Sequence, residues 1–531
     1  MKLLGPALLA LTAGASLSLA FAPVGAWPLA VLAPALLFWL WQDASPRRAA
    51  LLGFFFGCGT FSAGTYWLYV SINGYGEAPA WVALGLMAAL IFLMAGYTAL
   101  LGYAAGRWLP ARGAWRWLVA LPAGWVLLEW VRGWFLSGFG WLSLGYSQTD
   151  SWLRGWAPLG GLHLLSAWLL VMAGALVMLR CDAHRRRALP LTLLLLPWAL
   201  GGALDRLEWT RVSGPAVEVA IVQGAVPQDQ KWLAVNRELT LRRYRDLTFS
   251  VLGTPLIVWP EAAAPDLANN IVPFLRDLAG TAAARGSSLL LGLIRAEPAE
   301  DAEPAEDAEP AEDAEDAEPA EDAAAAPAAA RRPSPEPRYF NSILAFGEET
   351  RWYDKHHLVP YGEFFPVPDM VRRWMRLMNM PYADLSRGPK GQPPLRIAGL
   401  ALSASICYED AYASSQLPAA RQSTALVNVT NDAWFGRSTA RHQHLQISRM
   451  RAIEARRYMI RAANDGISAV LGPRGEFIAR APDFEPAVLK ARVVPRSGTP
   501  PYLLLGNLPV VLLAAVALMW AGWRAARPAR R

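Results

Sequence analysis

Three residues whose types could carry nucleophilic chemistry stand where short β-like runs of the sequence end. Cys407 directly follows the run Leu400–Ile406. Glu261 ends a second apolar run, and Lys355 comes after a third β-like stretch. A thiol needs a base to become a nucleophilic thiolate, and a carboxylate can be that base if burial raises its proton affinity. A fixed ammonium and a backbone N–H can together stabilise the oxyanion of a tetrahedral intermediate.

The position of Cys407 favours a chemical role over the alternative of an inert buried cysteine. The sequence has three cysteines, and Cys407 is the only one between residues 206 and 500. Ligands of open α/β sheets bind at the carboxyl ends of the strands, where Cys407 and Glu261 are expected to lie. The sequence therefore predicts a thiol active site at one end of a sheet.

The composition indicates that this site is attached to a membrane domain. Of the 531 residues 54% are hydrophobic, 18% are charged and 24 are Trp, which excludes a disordered or fibrous chain. A membrane span needs about 20 apolar residues. Eight spans are predicted, at about 3–21, 27–41, 49–70, 80–105, 117–131, 162–179, 189–204 and 502–523. A cleaved signal peptide is the alternative for the first, but the apolar segment after it makes a second span the simpler interpretation.

Arginine clusters follow every second predicted span and predict the orientation of the chain. Arg47 and Arg48 follow span two, and similar clusters follow spans four, six and eight. Basic residues collect on the cytoplasmic side, so the region between spans seven and eight is expected on the far face of the inner membrane. The net charge of +7 conceals this pattern, because fourteen acidic residues lie between Glu297 and Asp322. Basic clusters at span ends indicate membrane topology, and no nucleic-acid partner is expected.

Between the spans, residues 206–500 are predicted to form an α/β domain, flanked by a membrane domain at 1–205 with about seven helices. Residues 501–531 would add a last span and a basic cytoplasmic tail. The predicted strands are 217–222, 256–259, 288–294, 340–346, 400–406, 425–429, 468–471 and 488–493, and the predicted helices are 235–252, 267–284 and 442–463. Such interleaving is typical of α/β domains. The acidic repeat and its continuation, 297–337, cannot bury enough apolar surface to fold and are expected to be a disordered insertion.

Several short runs, taken in order, resemble the nitrilase superfamily. With the flanking spans, the chain is similar to the membrane-anchored apolipoprotein N-acyltransferase family. The runs are Val258-Trp-Pro-Glu261, Tyr353-Asp-Lys-His-His-Leu-Val-Pro-Tyr-Gly-Glu363, Ser405-Ile-Cys-Tyr-Glu409 and Asn428-Val-Thr-Asn-Asp-Ala-Trp-Phe-Gly436. The resemblance covers nearly the whole chain except the acidic insertion. It implies an α-β-β-α sandwich for the outer domain.

The resemblance also implies roles for individual residues. Glu261 would be the general base, Lys355 the oxyanion-stabilising lysine and Cys407 the nucleophile. Further functional positions of the family match Glu363, Tyr408, Glu409 and, near the substrate entrance, Trp232. The implied reaction moves an acyl chain from a phospholipid, phosphatidylethanolamine by family resemblance, through a Cys407 thioester to the α-amine of a diacylated apolipoprotein. No cofactor and no metal are implied.

A methionine-rich segment, 364–380, provides a separate indication of lipid access. Four of the twelve methionines fall within eleven residues here, mixed with aromatic and arginine side chains. Flexible thioether side chains adapt to varied apolar ligands, and such an amphipathic stretch suits an interface. We interpret the segment as a mobile lid, with an ordinary packed loop as the alternative.

Other functions remain compatible with parts of the sequence. Water could resolve the thioester, which would make the protein a membrane-tethered amidase. His356 or His357 could be the base of a Cys-His enzyme, although no orienting third group is evident. His442 and His444 lie two residues apart on a predicted helix and face different directions, so a metal site is not expected. A transporter or scaffold is disfavoured because few ionisable residues lie within the predicted spans.

Overall fold

The computed structural model of the chain describes residues 3–109, 112–181, 187–298, 337–360, 362–364, 370 and 384–526. Most of the acidic insertion and most of the methionine-rich segment lie outside these residues. The predictions of a disordered insertion and of a lid therefore stay predictions.

A helix lies in each of the eight predicted apolar segments. Inside a bilayer every backbone polar group needs an internal partner, and a helix supplies one for each. The helices are α1 (Leu4–Leu17), α2 (Leu29–Leu40), α3 (Pro46–Gly64), α4 (Trp67–Tyr69), α5 (Ala80–Trp108), α6 (Leu121–Arg132), α7 (Ala157–Cys181) and α8 (Ala188–Arg206), and, at the other end of the chain, Pro501–Leu505 and Leu508–Ala526.

Only some of these helices are long enough to cross a membrane as single straight segments. Among the described residues three meet the requirements of length and apolarity: Ala80–Trp108, Trp152–Cys181 and Ala188–Arg206. Pro46–Gly64 and Trp67–Tyr75 form a fourth candidate span if they count as one segment, although the chain bends by 52° at the break between them. The terminal helices are apolar but shorter.

Glycines let the membrane helices approach one another closely. A Cβ on Gly14 of α1 would lie 1.9 Å from the carbonyl oxygen of Phe56 in α3. On the opposite side of the contact, a Cβ on Gly59 of α3 would lie 2.0 Å from the carbonyl oxygen of Leu11. Small residues at helix crossings are the usual means of packing helices within membranes.

The region between α8 and the last helices contains two six-stranded sheets. One sheet has the strand order β13-β2-β3-β4-β5-β6 and the other β12-β11-β10-β9-β8-β7, while β1 and β14 form a separate pair. The strands are β1 (Arg211–Val212), β2 (Val217–Gln223), β3 (Leu256–Val258), β4 (Ser288–Glu297), β5 (Arg338–Phe346), β6 (Thr350–Asp354), β7 (Leu395–Ile397), β8 (Leu400–Ile406), β9 (Ala425–Thr430), β10 (Met459–Ala463), β11 (Ala469–Leu471), β12 (Phe477–Arg480), β13 (Ala487–Val493) and β14 (Arg496–Ser497).

Helices cover the outer faces of both sheets. The short helix α9 (Gln228–Lys231) precedes the first of them. The covering helices are α10 (Ala234–Phe249), α11 (Val272–Ala284), α12 (Ala413–Gln422) and α13 (Ala440–Ala455), and the described part of the chain ends with α14 (Pro501–Leu505) and α15 (Leu508–Ala526). Apolar side chains of both sheets form one buried core between them, and the two outer cores contain the helices. The central strands, such as β3 and β9, are buried along their whole length, as expected when both faces of a sheet are covered. This α-β-β-α sandwich confirms the predicted fold class.

The predicted helix 442–463 is wrong in its second half. The helix α13 ends at Ala455, and Arg456 adopts the left-handed conformation with φ of 50°. The chain then enters β10, all of whose residues are buried beside β9. A short apolar run cannot be assigned to helix or strand by its periodicity, and here pairing with a distant strand decides the outcome.

The helix α13 joins the sandwich to the membrane domain. Four of its apolar residues belong to the core of the membrane domain: Ala440, Ile447, Met450 and Ile453. Glu454 near its end accepts a hydrogen bond of 2.9 Å from the backbone N–H of Leu162 in α7. The conformation of α7 breaks at Gly161, where φ is 65°, so this N–H has no helical partner of its own and Glu454 supplies one.

Candidate active site

The three residues singled out for chemistry follow the ends of three strands. Glu261 comes shortly after β3, Lys355 directly after β6, and Cys407 directly after β8 of the other sheet. Cys407 has a φ of 51°, a left-handed conformation that a non-glycine residue rarely adopts. Such conformations persist where the surroundings enforce them, and they are common at active sites.

Lys355 forms the centre of a buried charged cluster. Its side chain is 1% exposed, and its Nζ lies 2.8 Å from Oε1 of Glu363 and 3.3 Å from Oε1 of Glu261. Burial alone would lower the pKa of Lys355, but Glu363 and Glu261 raise it above its usual value. The lysine is therefore a cation at neutral pH.

Amide groups fix both carboxylates around this lysine. Nδ2 of Asn341 in β5 donates to Oε1 of Glu261 at 2.7 Å and to Oε1 of Glu363 at 3.0 Å. The backbone N–H of Asn431 donates to the other oxygen of Glu261 at 2.8 Å, and that of Val359 donates to Oε2 of Glu363 at 2.8 Å. The two carboxylates are thus held in fixed positions before any substrate arrives.

The thiol of Cys407 faces this cluster. The cysteine is partly buried at the edge of the core between the sheets. Burial and then the carboxylate of Glu261 raise the pKa of the thiol, while the ammonium of Lys355 acts in the opposite direction. The resting cysteine is therefore protonated at neutral pH. The hydroxyl of Thr430 is the side-chain hydrogen-bond partner of the thiol, and Glu261 is the carboxylate with the largest electrostatic effect on it.

Glu409, two residues after Cys407, holds together the ends of β6 and β8. It is fully buried and accepts four hydrogen bonds of 2.8 to 3.1 Å. The donors are the hydroxyl of Tyr353 and the backbone N–H groups of His356, His357 and Ile406. Burial raises the pKa of Glu409, and the backbone donors oppose that rise. Its contacts fix the segments that contain Lys355 and Cys407.

Tyr408 and Tyr412 connect the site to the membrane domain. The hydroxyl of Tyr408 donates to the carbonyl of Gly138 at 3.2 Å, and that of Tyr412 donates to the carbonyl of Ser137 at 2.5 Å. The ring of Tyr408 also stacks on Trp141, with the ring centroids 6.0 Å apart. The loop that follows α6 therefore lies against the segment that carries the nucleophile candidate.

Trp232 lies apart from the charged cluster. Its side chain is 51% exposed, directly after α9, and the Nζ of Lys231 lies 5.9 Å from the centre of its ring. Lys231 itself is buried and donates to the carbonyl of Glu261 at 3.4 Å. Burial lowers the pKa of Lys231 to about 8. The role of Trp232 near a substrate entrance stays a prediction.

A cavity of about 730 Å³ separates the sandwich from the ends of the membrane helices. Glu409 and Tyr412 form part of its wall on one side, and Trp130 and Trp134 at the end of α6 form part of the other. Tryptophans at such a position are typical of the boundary between bilayer and water. The site reaches this cavity through Glu409, whereas Glu261, Lys355 and Cys407 are not among the described residues that line it.

Sequence reasoning missed three residues that organise the site: Lys231, Asn341 and Asn431. Asn431 lies within the run Asn428–Gly436, which resembles the nitrilase superfamily. Asn341 is a polar residue within an apolar strand, which was the available signal. The hydrogen bond between Asn341 and Glu261 could not be predicted from the sequence, because the two residues are 80 positions apart.

The alternative bases are engaged elsewhere. Nδ1 of His356 lies 2.6 Å from the carbonyl oxygen of Gly388, and the ring of His357 stacks on Tyr412 at 4.2 Å. The described part of the chain contains no group of three or more His, Cys, Asp or Glu side chains arranged to hold a metal ion.

The fold and the site define a membrane-anchored enzyme of the carbon-nitrogen hydrolase class. The profile described as "Carbon-nitrogen hydrolase" matches residues 218–499, and the one described as "Apolipoprotein N-acyltransferase N-terminal domain" matches residues 13–175. A relative from Pseudomonas putida named "Apolipoprotein N-acyltransferase" is 39% identical, covering 97% of this chain and 96% of the relative. One of the same name from Vibrio cholerae is 36% identical, covering 96% of this chain and 95% of the relative. The chain belongs to the apolipoprotein N-acyltransferase family.

Among solved structures, Saccharomyces cerevisiae Nit3, a member of branch 10 of the nitrilase superfamily, aligns with a TM-score of 0.35 and 17% identity. The alignment covers 54% of this chain and 93% of that chain.

Proposed function

We propose that the protein transfers an acyl chain from a phospholipid to the N-terminal α-amine of a diacylated apolipoprotein, with Cys407 carrying the chain between them. The observation that carries the proposal is the buried cluster of Glu261, Lys355 and Glu363 facing the Cys407 thiol. It supplies a base, a fixed cation and a nucleophile in one place, as thioester chemistry requires.

In the first step Glu261 takes the proton of the Cys407 thiol while Sγ attacks the ester carbonyl of the phospholipid. The ammonium of Lys355 and the backbone N–H of Tyr408 stabilise the tetrahedral oxyanion. The C–O bond of the ester then breaks, and Glu261 returns the proton to the departing alkoxide. The products are an acyl thioester on Cys407 and a free lysophospholipid.

In the second step the α-amine of the diacylglyceryl-cysteine attacks the thioester carbonyl. Glu261 accepts a proton from the amine, the C–S bond breaks, and the proton passes to the cysteine sulfur. The amide product leaves and the thiol is restored, so the reaction needs no cofactor. Glu363 keeps Lys355 charged and in place through both steps.

We place the reaction at the outer surface of the bacterial inner membrane. Residues 1–205 and 501–531 would anchor the chain, and residues 206–500 would work on the periplasmic side. The arginine clusters after spans two, four, six and eight support this orientation. Both substrates would be embedded in the bilayer, and the cavity between the sandwich and the membrane helices, which Glu409 lines, is the proposed side of approach. Phosphatidylethanolamine is the proposed donor by resemblance to the family.

The test is an assay of the purified full-length protein with phosphatidylethanolamine vesicles and a diacylated lipopeptide. The wild type is expected to release lysophospholipid and N-acylated lipopeptide in equal amounts. Cys407→Ala is expected to produce neither while remaining folded. Release of free fatty acid without acylated lipopeptide would instead identify a hydrolase and contradict the proposal.

A further inference from the structure

A second cluster of buried ionisable groups contacts the backbone of the nucleophile candidate, and its ion pairs among the described residues do not include Glu261 or Lys355. It consists of Asp410, Asp432, His444 and Arg461, each with a side chain no more than 1% exposed. They come from four different parts of the domain: Asp410 follows Cys407, Asp432 follows β9, His444 is on α13 and Arg461 is on β10. The reaction steps above use none of them.

His444 connects this cluster to the cysteine backbone. Its Nε2 lies 3.2 Å from the carbonyl oxygen of Cys407 and 3.2 Å from Oδ1 of Asp410. Its Nδ1 lies 2.8 Å from Oδ1 of Asp432. Arg461 packs on the same side, with Nη2 2.9 Å from Oδ2 of Asp432 and 3.0 Å from Nδ1 of the histidine.

The carbonyl that His444 contacts belongs to the residue in the unusual backbone conformation. Cys407 has a φ of 51°, and its carbonyl oxygen also accepts a hydrogen bond of 3.1 Å from Nδ2 of Asn428. A left-handed φ at a non-glycine residue is unfavourable unless surrounding contacts enforce it. Two side-chain donors on one carbonyl are contacts of that kind, and they fix the direction in which Sγ leaves the strand.

We propose that His444 is a positioning residue for the nucleophile. Its Nε2–H holds the Cys407 carbonyl and thereby aims the thiol at Glu261 and Lys355, without touching a substrate. The catalytic consequence rests on the proposed function, whereas the effect on the thiol itself does not.

The same helix is fixed to the membrane domain beside this contact. Oε1 of Gln443 accepts hydrogen bonds from the indole of Trp141 at 2.6 Å and from that of Trp67 at 3.3 Å. The ring of Trp141 lies 5.6 Å from the ring of His444. The position of the thiol is therefore set relative to the membrane domain, from which both lipid substrates would arrive.

Two substitutions test the contacts of the two ring nitrogens of His444 separately. The amide nitrogen of glutamine in His444→Gln is as many bonds from Cα as Nε2 and restores the donor to Cys407. The amide nitrogen of asparagine in His444→Asn corresponds to Nδ1 and restores only the contact with Asp432. His444→Ala restores neither. His442→Ala, two residues earlier on the same helix and half-buried, is the matched control.

Two rates are measured in full-length protein in detergent or vesicles. The first is alkylation of Cys407 by iodoacetamide, followed on its own peptide by mass spectrometry, which needs no substrate. The second is formation of the acyl thioester from phosphatidylethanolamine in a single turnover. Unfolding temperatures are recorded for every variant.

We expect both rates to fall at least tenfold in the Asn and Ala variants and to stay within about threefold of wild type in the Gln variant, because misplacement by about 1 Å can cost a hundredfold. Both rates in the His442→Ala control should match those of the wild type. Equal rates in the Gln and Asn variants, or wild-type rates in Ala, would overturn the proposal. Loss of folded protein in both the Gln and Asn variants would also overturn it, since the role would then be structural. Failure of wild-type acylation with the alkylation pattern intact would contradict the proposed function alone.

Discussion

At the scale of single residues, one carboxylate has two effects on the nucleophile candidate. Glu261 is the proposed acceptor for the thiol proton, and after burial its charge is the main cause that raises the pKa of Cys407. In the proposed mechanism the thiolate therefore forms as Sγ attacks a substrate carbonyl, and the resting thiol keeps its proton. A permanently ionised thiol would be more exposed to side reactions, because reactivity with oxidants and alkylating agents follows thiolate content.

Removing that charge is expected to change reactivity and catalysis in opposite directions. In Glu261→Gln the thiol loses the carboxylate that raises its pKa and keeps Lys355, which lowers it. The pH at which iodoacetamide alkylates Cys407 at half-maximal rate should therefore shift downward. Acyl-thioester formation should fall by about 10² to 10⁴, the usual contribution of a general base. An upward shift of the alkylation midpoint would contradict this arrangement of charges.

The cluster around His444 predicts a pH dependence of stability. The groups facing the ring are Asp410, Asp432 and Arg461. Burial and the charge of Arg461 lower the pKa of His444, but the two aspartates outweigh them and raise it to about 9, against an unfolded value of about 6.5. A raised pKa gives stability that is fully present below about pH 6.5 and is lost as the pH rises through about 9. The unfolding temperature of the wild type should therefore exceed that of His444→Gln most at pH 6 and least at pH 10. A difference that grows with pH would contradict a charged His444.

At the scale of elements, the eight predicted strands were all found, because continuous apolar runs between polar turns are a local signal. The strands that sequence reasoning missed are β1, β7, β12, β14 and β10. The first four have at most four residues, too few for a pattern, and β10 depends on pairing with β9. The catalytic candidates could be chosen from residue type and position, whereas the contacts of Asn341 and His444 depend on long-range packing.

The break in α7 depends on a single glycine. Gly161 has a φ of 65°, and a Cβ there would lie 2.2 Å from the ring of Tyr502. Gly161→Ala should lower the free energy of unfolding by about 2 to 4 kcal/mol through strain and overpacking. Gly85→Ala in α5 is the control, because no heavy atom lies within 4 Å of its added Cβ and alanine favours helix. Thermal unfolding in detergent should show a clear decrease only for Gly161→Ala.

At the scale of the whole molecule, the two halves are joined by α13 and by charged pairs. Asp205 at the end of α8 lies 3.0 Å from Arg154 in the membrane domain and 2.8 Å from Arg456 after α13. Asp150 in a membrane-domain loop pairs with Arg449 of α13 at 2.8 Å. The sandwich is therefore held in one position above the helices, which suits chemistry on substrates confined to a bilayer.

The acidic insertion is expected to be dispensable for this arrangement. It leaves and re-enters the sheet at one place, because Glu297 of β4 pairs directly with Arg338 of β5. Replacing residues 299–336 with a short Gly-Ser turn should preserve activity. Closing a much shorter loop should raise the free energy of unfolding by up to about 2 kcal/mol. A loss of acyl transfer in that variant, measured beside the full-length protein, would show that the insertion has a function.

The central claim is that Cys407 carries the acyl chain, and mass spectrometry of the trapped intermediate tests it most directly. Full-length protein is incubated with phosphatidylethanolamine of defined chains and no acceptor, then digested and analysed. We predict one acyl chain on the Cys407 peptide, removed within one turnover when diacylated lipopeptide is added and recovered as its N-acyl amide. Acyl transfer by the wild type with no acylated Cys407 at any time, or unimpaired transfer by Cys407→Ala, would contradict the account.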